Sequence, residues 1–276
     1  MKSGITVHCR VRNEEQFVSE AILSVLPLAE RVLVYDTGST DHTLQKIASI
    51  QNDKIEVICK PPSDPKGICA YRNEMIDRTD TEWYMIVDGD KVYPQSAVEC
   101  IQREMLKLAD KKDIHRIVLH RHHFVRSLNF VSKPDGIGRI YRTKAIKFNL
   151  FNPDDNRVGH ETPYYFPDPA LPPYRYSVTF PPEAYFFHFH HLRRSSQDNH
   201  LGKLRRWRKT PFPLSPFFGP WPEGIETGAA ARSLNLFIAA QCAFLNIWSP
   251  IDRLIHKMPW VKKVRGSQLG DRAASA

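Results

Sequence analysis

The chain has 276 residues, enough to bury a full hydrophobic core in one large domain or in one domain with an appendage. Hydrophobic residues make up 42% of the sequence and charged residues 25%, which excludes a wholly disordered chain. The formal net charge of +9 suits an anionic partner such as a nucleotide, a phosphate, a lipid headgroup or a nucleic acid, but charge alone does not choose among them.

The first half of the chain alternates short apolar runs with amphipathic runs. The apolar runs predict strands at Ile5–Cys9, Arg31–Tyr35, Ile55–Cys59, Trp83–Val87 and Ile114–His120. The amphipathic runs predict helices at Glu14–Leu26, Asp41–Ile50, Gly67–Arg78 and Pro94–Lys111. Strands that alternate with helices indicate parallel βαβ units and an open, doubly wound α/β sheet.

The alternation stops after about residue 121. Pro134–Gly136 predicts a turn, and Arg139–Phe148 predicts a strand with mixed faces. Prolines are dense over 163–182 and again over 211–222, which predicts irregular covering segments rather than a second regular domain.

Cysteine usage bears on the cellular compartment. The five cysteines are odd in number and scattered, with no C-x-x-C pair. This pattern is typical of reduced thiols and argues against a disulfide framework or a structural zinc knuckle. The N-terminus leads directly into a strand-like run with no apolar signal segment, so we expect a cytoplasmic protein.

Two aspartates end the fourth predicted strand. Asp88 and Asp90 repel each other unless a cation lies between or beside them, so the pair favours a hard divalent metal. Gly89, between them, carries no side chain to block an approaching ligand. Two acids in a turn are usually solvated, but here an apolar strand precedes them, and the ends of such strands bind ligands in open α/β sheets.

The second predicted strand also ends in an acid. Asp36 can hydrogen-bond the base or ribose of a nucleotide, Gly38 allows a sharp turn, and Asp41 can cap the following helix. A capped helix after a turn is the simpler interpretation of this segment alone. Its combination with Arg12–Glu15, after the first strand, and with the aspartate pair favours a ligand site.

Four motifs together resemble family 2 glycosyltransferases with the GT-A fold; in order, they are Val11–Glu15, Asp36–Thr43, Arg72–Glu74 and Asp88–Asp90. The resemblance covers roughly the first 125 residues, and the combination is specific although no single motif is. It implies a GT-A (Rossmann-like), mostly parallel open sheet flanked by helices, with an irregular and helical C-terminal extension. It also implies inverting sugar transfer from a nucleotide-sugar.

The resemblance implies roles for individual residues. Asp36 would contact the base or ribose, Asp88 would face the ribose, and Asp90 would bind a divalent metal, Mn²⁺ or Mg²⁺, that bridges the diphosphate. The donor would be a UDP-, GDP- or dTDP-sugar, and the residues implied for its binding are Asn13, Glu14, Asp36, Arg72 and Asp88.

A resemblance to a subgroup of these enzymes continues downstream, where Gly138–Arg142 precedes Val158–Glu161. Inverting transfer needs a base that takes the proton of the acceptor hydroxyl as it attacks the anomeric carbon, and a carboxylate is the usual choice. We expect Glu161 to be this base. The alternatives are a surface glutamate or an ion-pair partner of Arg139 or Arg142.

Three histidines occur in the aromatic run Tyr185–His191. On a strand, His188 and His190 share one face. Neutral imidazole is a good ligand of divalent metals, and GT-A enzymes often complete their metal site with a late histidine. We expect His188 to contact the metal or the diphosphate, with His190 as the alternative; histidines that are merely structural are the other interpretation.

The C-terminal extension is basic and partly apolar. Segment 193–209 carries seven basic residues against one acid, a charge that suits either a departing diphosphate or a solvated helix face. Ala229–Trp248 is mostly apolar, and basic residues with tryptophan follow it. We expect peripheral contact with an anionic membrane surface on the inner face, or else a helix packed on the catalytic domain.

These features predict an enzyme, a metal-dependent inverting glycosyltransferase that transfers a hexosyl or related sugar to a glycan, lipid-linked or protein acceptor. The alternative is an inactive relative, or a basic protein that binds membrane or nucleic acid; this would explain the charge but not the two acidic strand ends. We expect no nucleic-acid partner. The predicted organisation is a catalytic domain over 1–192, divided into nucleotide-sugar binding (1–125) and acceptor binding with catalysis (126–192), and an extension over 193–276.

Overall fold

The computed structural model describes residues 1–125, 127–149, 162–165, 176–197, 213–217, 225, 243–244 and 246. Its first part contains β1 (Lys2–Val11), α1 (Val18–Val25), β2 (Ala29–Asp36), α2 (Thr43–Ala48), β3 (Ile55–Cys59), α3 (Pro65–Asp77), β4 (Thr81–Ile86), β5 (Lys91–Val92) and α4 (Gln95–Leu106). The later part contains β6 (Arg116–Val125), β7 (Ser127–Ser132), β8 (Asp135–Arg142), β9 (Ile146–Asn149), β10 (Thr162–Tyr165), β11 (Ser177–Thr179), β12 (Tyr185–His188) and β13 (Leu214–Pro216).

Eleven strands form the main sheet, whose principal path is β13-β7-β6-β8-β4-β1-β2-β3. Strands β1 to β4 are mutually parallel where they pair, whereas β8 lies antiparallel between β4 and β6. Beyond this path, β11 and β12 run parallel to β6, and β5 pairs antiparallel with β12. The predicted α/β sheet flanked by helices is confirmed, with its parallel part in the first half of the chain.

Each face of the sheet packs on different helices. On one face, alternate residues of β1 and β2 such as Val7 and Val34 join one large core cluster with Ile22 of α1 and Ile101 of α4. On the other face, Leu33 and Tyr35 of β2 pack with Met75 of α3. This alternation follows the two-residue period of a strand that is covered on both sides.

All five predicted strands of the first half are present, and β3 has the predicted bounds. The single strand predicted at Arg139–Phe148 is wrong, because a turn at 143–145 separates β8 from β9. Thr143 explains the break: its backbone N–H donates to the Glu82 carbonyl and its hydroxyl donates to the Thr81 carbonyl, both at the start of β4. Strand β9 then pairs with β10 in a separate two-stranded sheet.

The four predicted helices are also present, but α1 begins at Val18 rather than at Glu14. Residues 14 and 15 are held outside the helix because their backbone N–H groups bond to side chains near the start of α2. Glu14 donates to the Thr43 hydroxyl at 2.8 Å, and Glu15 donates to the Asp41 carboxylate at 3.4 Å.

Two findings concern the cysteines and the helices. No disulfide joins the cysteines at the described positions. Among the described residues, no helix has the length and apolar character needed to cross a membrane. The apolar segment 229–248 lies almost wholly outside the described residues.

The packing of β4 predicts the stability of a core variant. Met85 is fully buried and pairs with Val7 of β1 and Ile140 of β8. Met85→Ala should lower the free energy of unfolding by about 2–5 kcal/mol, because it removes buried methylenes and leaves a cavity. Urea denaturation measures this change. Leu23→Ala, on the exposed face of α1, is the control and should change stability by less than about 0.5 kcal/mol.

Candidate active site at the carboxyl edge of the parallel strands

The parallel strands β1, β2 and β4 bring three polar loops to one edge of the sheet. Val11, the last residue of β1, pairs with Asp36, the last residue of β2. Beside them, Val87 follows β4 and donates its N–H to the His8 carbonyl of β1. The loops that begin at Asn13, Asp36 and Asp88 therefore lie side by side, at the edge where open α/β sheets bind ligands.

Asp36 is buried and held in one orientation. Its carboxylate accepts hydrogen bonds from the backbone N–H groups of Gly38 (3.2 Å) and Ser39 (3.1 Å), and from the Ser39 hydroxyl. Gly38 has φ +88°, a conformation that side chains rarely adopt, so the turn requires glycine there. The carboxylate is thus fixed at the strand end with lone pairs available to a ligand N–H or O–H.

Asn13 joins the first loop to the second. It adopts φ 57°, which asparagine tolerates better than most residues. Its side-chain oxygen accepts from the Thr40 N–H at 2.8 Å, and its own N–H donates to the Ser39 hydroxyl at 3.0 Å. In the described structure, Asn13 thus holds together the two loops that surround Asp36.

Glu14 and Glu15 have opposite electrostatic environments. Burial, reinforced by repulsion from Asp90, raises the pKa of Glu14 to about 9. Burial also acts to raise the pKa of Glu15, but hydrogen bonds from the backbones of His42 and Ser196 outweigh it and lower the pKa to about 2. Glu15 is therefore a fixed carboxylate that anchors two backbone segments.

A lysine lies between the two aspartates. Lys91 is 3% exposed, and its Nζ forms ion pairs with Asp88 and, at 3.4 Å, with Oδ1 of Asp90. The side chain of Lys91 thus supplies part of the positive charge that the aspartate pair requires. Sequence reasoning missed it, although Lys91 follows the motif directly.

Asp88 is further balanced by two buried arginines. Arg72 of α3 lies 3.5 Å from Oδ1, and Arg139 of β8 lies 3.6 Å from Oδ2. Burial would raise the pKa of Asp88, but Lys91, Arg139 and Arg72 together outweigh it and hold the pKa well below its usual range. The lowered pKa keeps Asp88 charged. Its side chain is 27% exposed and remains accessible to a ligand.

Gly89 has a packing role. A Cβ at this position would lie 2.9 Å from Cβ of Glu14 and 3.0 Å from Cγ1 of Val11. These distances are shorter than ordinary van der Waals contacts. The missing side chain therefore makes room for Glu14 and for the end of β1.

Asp90 lies at the one group of described residues with the geometry of a metal site. Its Oδ2 is 3.3 Å from Nε2 of His188 and 4.0 Å from Nδ1 of His190, and the three ligand atoms lie within 4.8 Å of one another. Strand pairing creates this arrangement, because His188 of β12 pairs with Lys91 of β5. Burial lowers the pKa of His188 well below its usual value, which keeps the imidazole neutral. One carboxylate and two imidazoles form a donor set that suits a divalent metal.

A short segment beyond β12 returns to this edge. Residues 193–197, the return segment, contribute Arg194, whose Nη1 lies 2.5 Å from Oε1 of Glu14 and 3.2 Å from Oδ2 of Asp90. This arginine was not singled out from the sequence, where it is one of many cations in 193–209. Glu161, the predicted base, lies outside the described residues, as do most of the residues of the C-terminal extension.

Residues 6–166 match the family described as Glycosyl transferase family 2. The chain belongs to this family. The match covers the strand-end acids Asp36, Asp88 and Asp90 and extends to Glu161. No curated protein matches this family 2 chain.

Several solved glycosyltransferase structures are similar to parts of the chain. The crystal structure of S. aureus TarS 1-349 aligns with 16% identity and a TM-score of 0.46, over 68% of this chain and 60% of TarS. Glucosyl-3-phosphoglycerate synthase from Mycobacterium tuberculosis, in complex with Mn²⁺, UDP and glucosyl-3-phosphoglycerate, aligns with 22% identity and a TM-score of 0.32, over 45% of each chain. The chain thus spans less than two thirds of these structures.

The lysine between the aspartates predicts a pH-dependent loss of stability. Lys91→Met should lower the free energy of unfolding at pH 7 by about 3–5 kcal/mol, because it leaves buried carboxylates without their nearest cation. Since the folded pKa of Asp88 is depressed, this stabilisation is fully present above about pH 5 and is lost progressively as the pH falls from the usual carboxyl range towards the much lower folded pKa. The variant and the wild type should therefore converge in acid.

Urea denaturation at several pH values measures the effect. Lys107→Met is the control, because Lys107 forms an ion pair with Glu104 on the exposed surface and should contribute little. A Lys91 variant as stable as the wild type at pH 7 would show that the aspartates do not depend on this lysine.

Proposed function

We propose that the protein is a metal-dependent glycosyltransferase that transfers a sugar, a hexose or a related residue, from a nucleotide-sugar to an acceptor hydroxyl with inversion. One observation carries the proposal: in a family 2 chain, the acids that end β2 and β4 lie at one sheet edge beside a neutral His188. A basic binding protein would have no need for buried acids at this edge.

The donor nucleotide is assigned to Asp36 and Asp88. The fixed carboxylate of Asp36 has lone pairs for an N–H of the base or a hydroxyl of the ribose, and the partly exposed carboxylate of Asp88 suits the ribose. Arg72 forms an ion pair with Asp88. Asn13 and Glu14 form hydrogen bonds to the loop after β2 and to the start of α2. UDP-, GDP- and dTDP-sugars are the candidate donors.

The metal is assigned to Asp90 and His188, with His190 as a third candidate ligand. Bound there, Mn²⁺ or Mg²⁺ would neutralise the charge that develops on the leaving diphosphate. Lys91 fixes Oδ1 of Asp90, which leaves Oδ2 facing the histidines. Burial keeps His188 neutral, as a ligand must be.

Glu161 is assigned as the base that accepts the proton of the attacking hydroxyl. The following residue, Thr162, begins β10, which pairs with β9. Strand β9 is fastened to α3, because the Asn73 side chain accepts from the Phe148 N–H and donates to its carbonyl, both at 2.9 Å. The neighbour of Asn73 on α3 is Arg72, which contacts Asp88, so β9 and β10 are connected to the helix that reaches the donor site, and this supports the assignment of Glu161.

The acceptor, which is a glycan, a lipid-linked molecule or a protein, is assigned to residues 126–192, and the nucleotide-sugar to 1–125. We keep 193–276 as an extension and assign its basic and apolar residues beyond position 197 to contact with an anionic membrane surface on the cytoplasmic side. The net charge of +9 supports this assignment.

The metal site predicts the outcome of a donor screen. The protein should hydrolyse or transfer from at least one nucleotide-sugar in a panel, and EDTA should abolish this activity. Asp90→Asn should lower turnover by at least about 100-fold, because the leaving diphosphate loses its electrostatic stabilisation. Asp80→Asn, an exposed acid paired with Lys2, is the control. Activity that withstands EDTA would contradict metal dependence, and a wholly inactive wild type would favour a non-catalytic relative.

The assignment of Glu161 as the base predicts a variant that loses turnover but keeps its affinity for the nucleotide. Glu161→Gln should lower kcat by at least about 100-fold, because no carboxylate takes the acceptor proton, while the affinity for nucleoside diphosphate stays unchanged. Isothermal titration and a steady-state assay measure the two quantities. Asp155→Asn, in the same stretch of sequence, is the control. An unchanged kcat would remove Glu161 from the reaction.

A further inference from the structure

The return segment, residues 193–197, is fastened to the acids of the first two loops. The Ser195 hydroxyl donates to Asp41, and the Ser196 N–H donates to Glu15, both at 2.5 Å. The Arg194 carbonyl accepts from the Gln16 N–H at 3.0 Å. These bonds fix the backbone of the segment without using the Arg194 guanidinium.

The guanidinium of Arg194 competes for the atom that faces the candidate metal ligands. Its Nη1 is 3.2 Å from Oδ2 of Asp90, and His188 Nε2 is 3.3 Å from the same oxygen. A divalent metal held by Oδ2 would place its double positive charge next to the guanidinium. The repulsion between the two cations would then favour a new partner for Arg194.

We propose that Arg194 occupies the cation position at Asp90 in the ligand-free protein, and that it exchanges Asp90 for the donor diphosphate when a divalent metal and the nucleotide bind. This inference rests on the proposed function and adds a residue that positions the leaving group. The exchange requires a rotation of the Arg194 side chain that gives up its contacts with Oε1 of Glu14 and Oδ2 of Asp90, while the Arg194 carbonyl and the Ser196 N–H keep their hydrogen bonds. A guanidinium suits the second position, since its planar N–H groups match phosphate oxygens.

The other cations that contact Asp88 or Asp90 are less exposed than Arg194. The Lys91 side chain, held between the two aspartates, is 4% exposed, and the side chains of Arg72 and Arg139, which contact Asp88, are 2% and 9% exposed. The Arg194 side chain is 19% exposed and reaches the site from a segment 104 residues beyond Asp90. Among the cations that contact Asp88 or Asp90 in the described structure, Arg194 is thus the most exposed to solvent.

Mn²⁺ binding distinguishes the two positions of Arg194. Electron paramagnetic resonance measures free Mn²⁺ with the protein alone, and isothermal titration measures UDP, GDP or dTDP binding in the presence of Mn²⁺. Arg194→Gln should raise the affinity for Mn²⁺ alone by about threefold to tenfold, because a competing charge is gone. The same variant should weaken nucleoside diphosphate binding with Mn²⁺ by about tenfold or more, because a charged hydrogen bond is lost.

Two variants are matched controls. Arg193→Gln removes the same charge from the return segment, but the Arg193 guanidinium donates to the Ser195 and Ser196 carbonyls rather than to Asp90, so both affinities should stay near the wild type. Arg194→Lys keeps the charge and should retain a Mn²⁺ affinity close to that of the wild type. Circular dichroism and thermal melting establish that each variant is folded.

The results separate this inference from the proposed function. Opposite changes in the two affinities for Arg194→Gln, absent from Arg193→Gln, would support the exchange. An unchanged or lower Mn²⁺ affinity, or unchanged diphosphate binding, would overturn the exchange while wild-type transfer stands. A wild type that binds neither Mn²⁺ nor any of the three nucleotides would overturn both.

Discussion

The candidate active site depends on the charge balance around two closely spaced carboxylates. Asp88 and Asp90 are separated by one glycine, and they would repel each other in a low-dielectric environment. Lys91 lies between them, and arginines from distant parts of the chain contact their outer oxygens. Both aspartates therefore remain ionised, Asp90 in a buried position and Asp88 partly exposed, which is the state that a nucleotide or a metal needs.

The two halves of the sheet supply different parts of this balance. The parallel half ends in the acids, because the carboxyl ends of β2 and β4 meet at one edge. The mixed half brings Arg139 on β8 and His188 on β12 to the same place. The site is thus completed only when residues beyond the parallel half are folded onto it, although the recognisable family motifs lie mostly in the first half.

Several motif residues hold backbone rather than face an open ligand site. Asn13 binds the loop after β2, Glu15 accepts from two backbone N–H groups, and Asp41 accepts from the hydroxyl of Ser195. This explains why asparagine and acids occur together in these loops. Their carboxylates and amide give the loops a single conformation around Asp36 and tie the return segment to the same edge.

Local patterns in the sequence were sufficient for the α/β fold and for the acidic ends of β2 and β4, because alternation and periodicity report local backbone geometry and burial. Only the tertiary structure decided which cations reach the aspartates. Arg139 and Arg194 are remote from Asp88 and Asp90 in sequence, and strand register together with the path of the return segment brings them together. It also decided where α1 begins and where β8 ends, since side-chain bonds to other elements override the local pattern at Glu14 and Thr143.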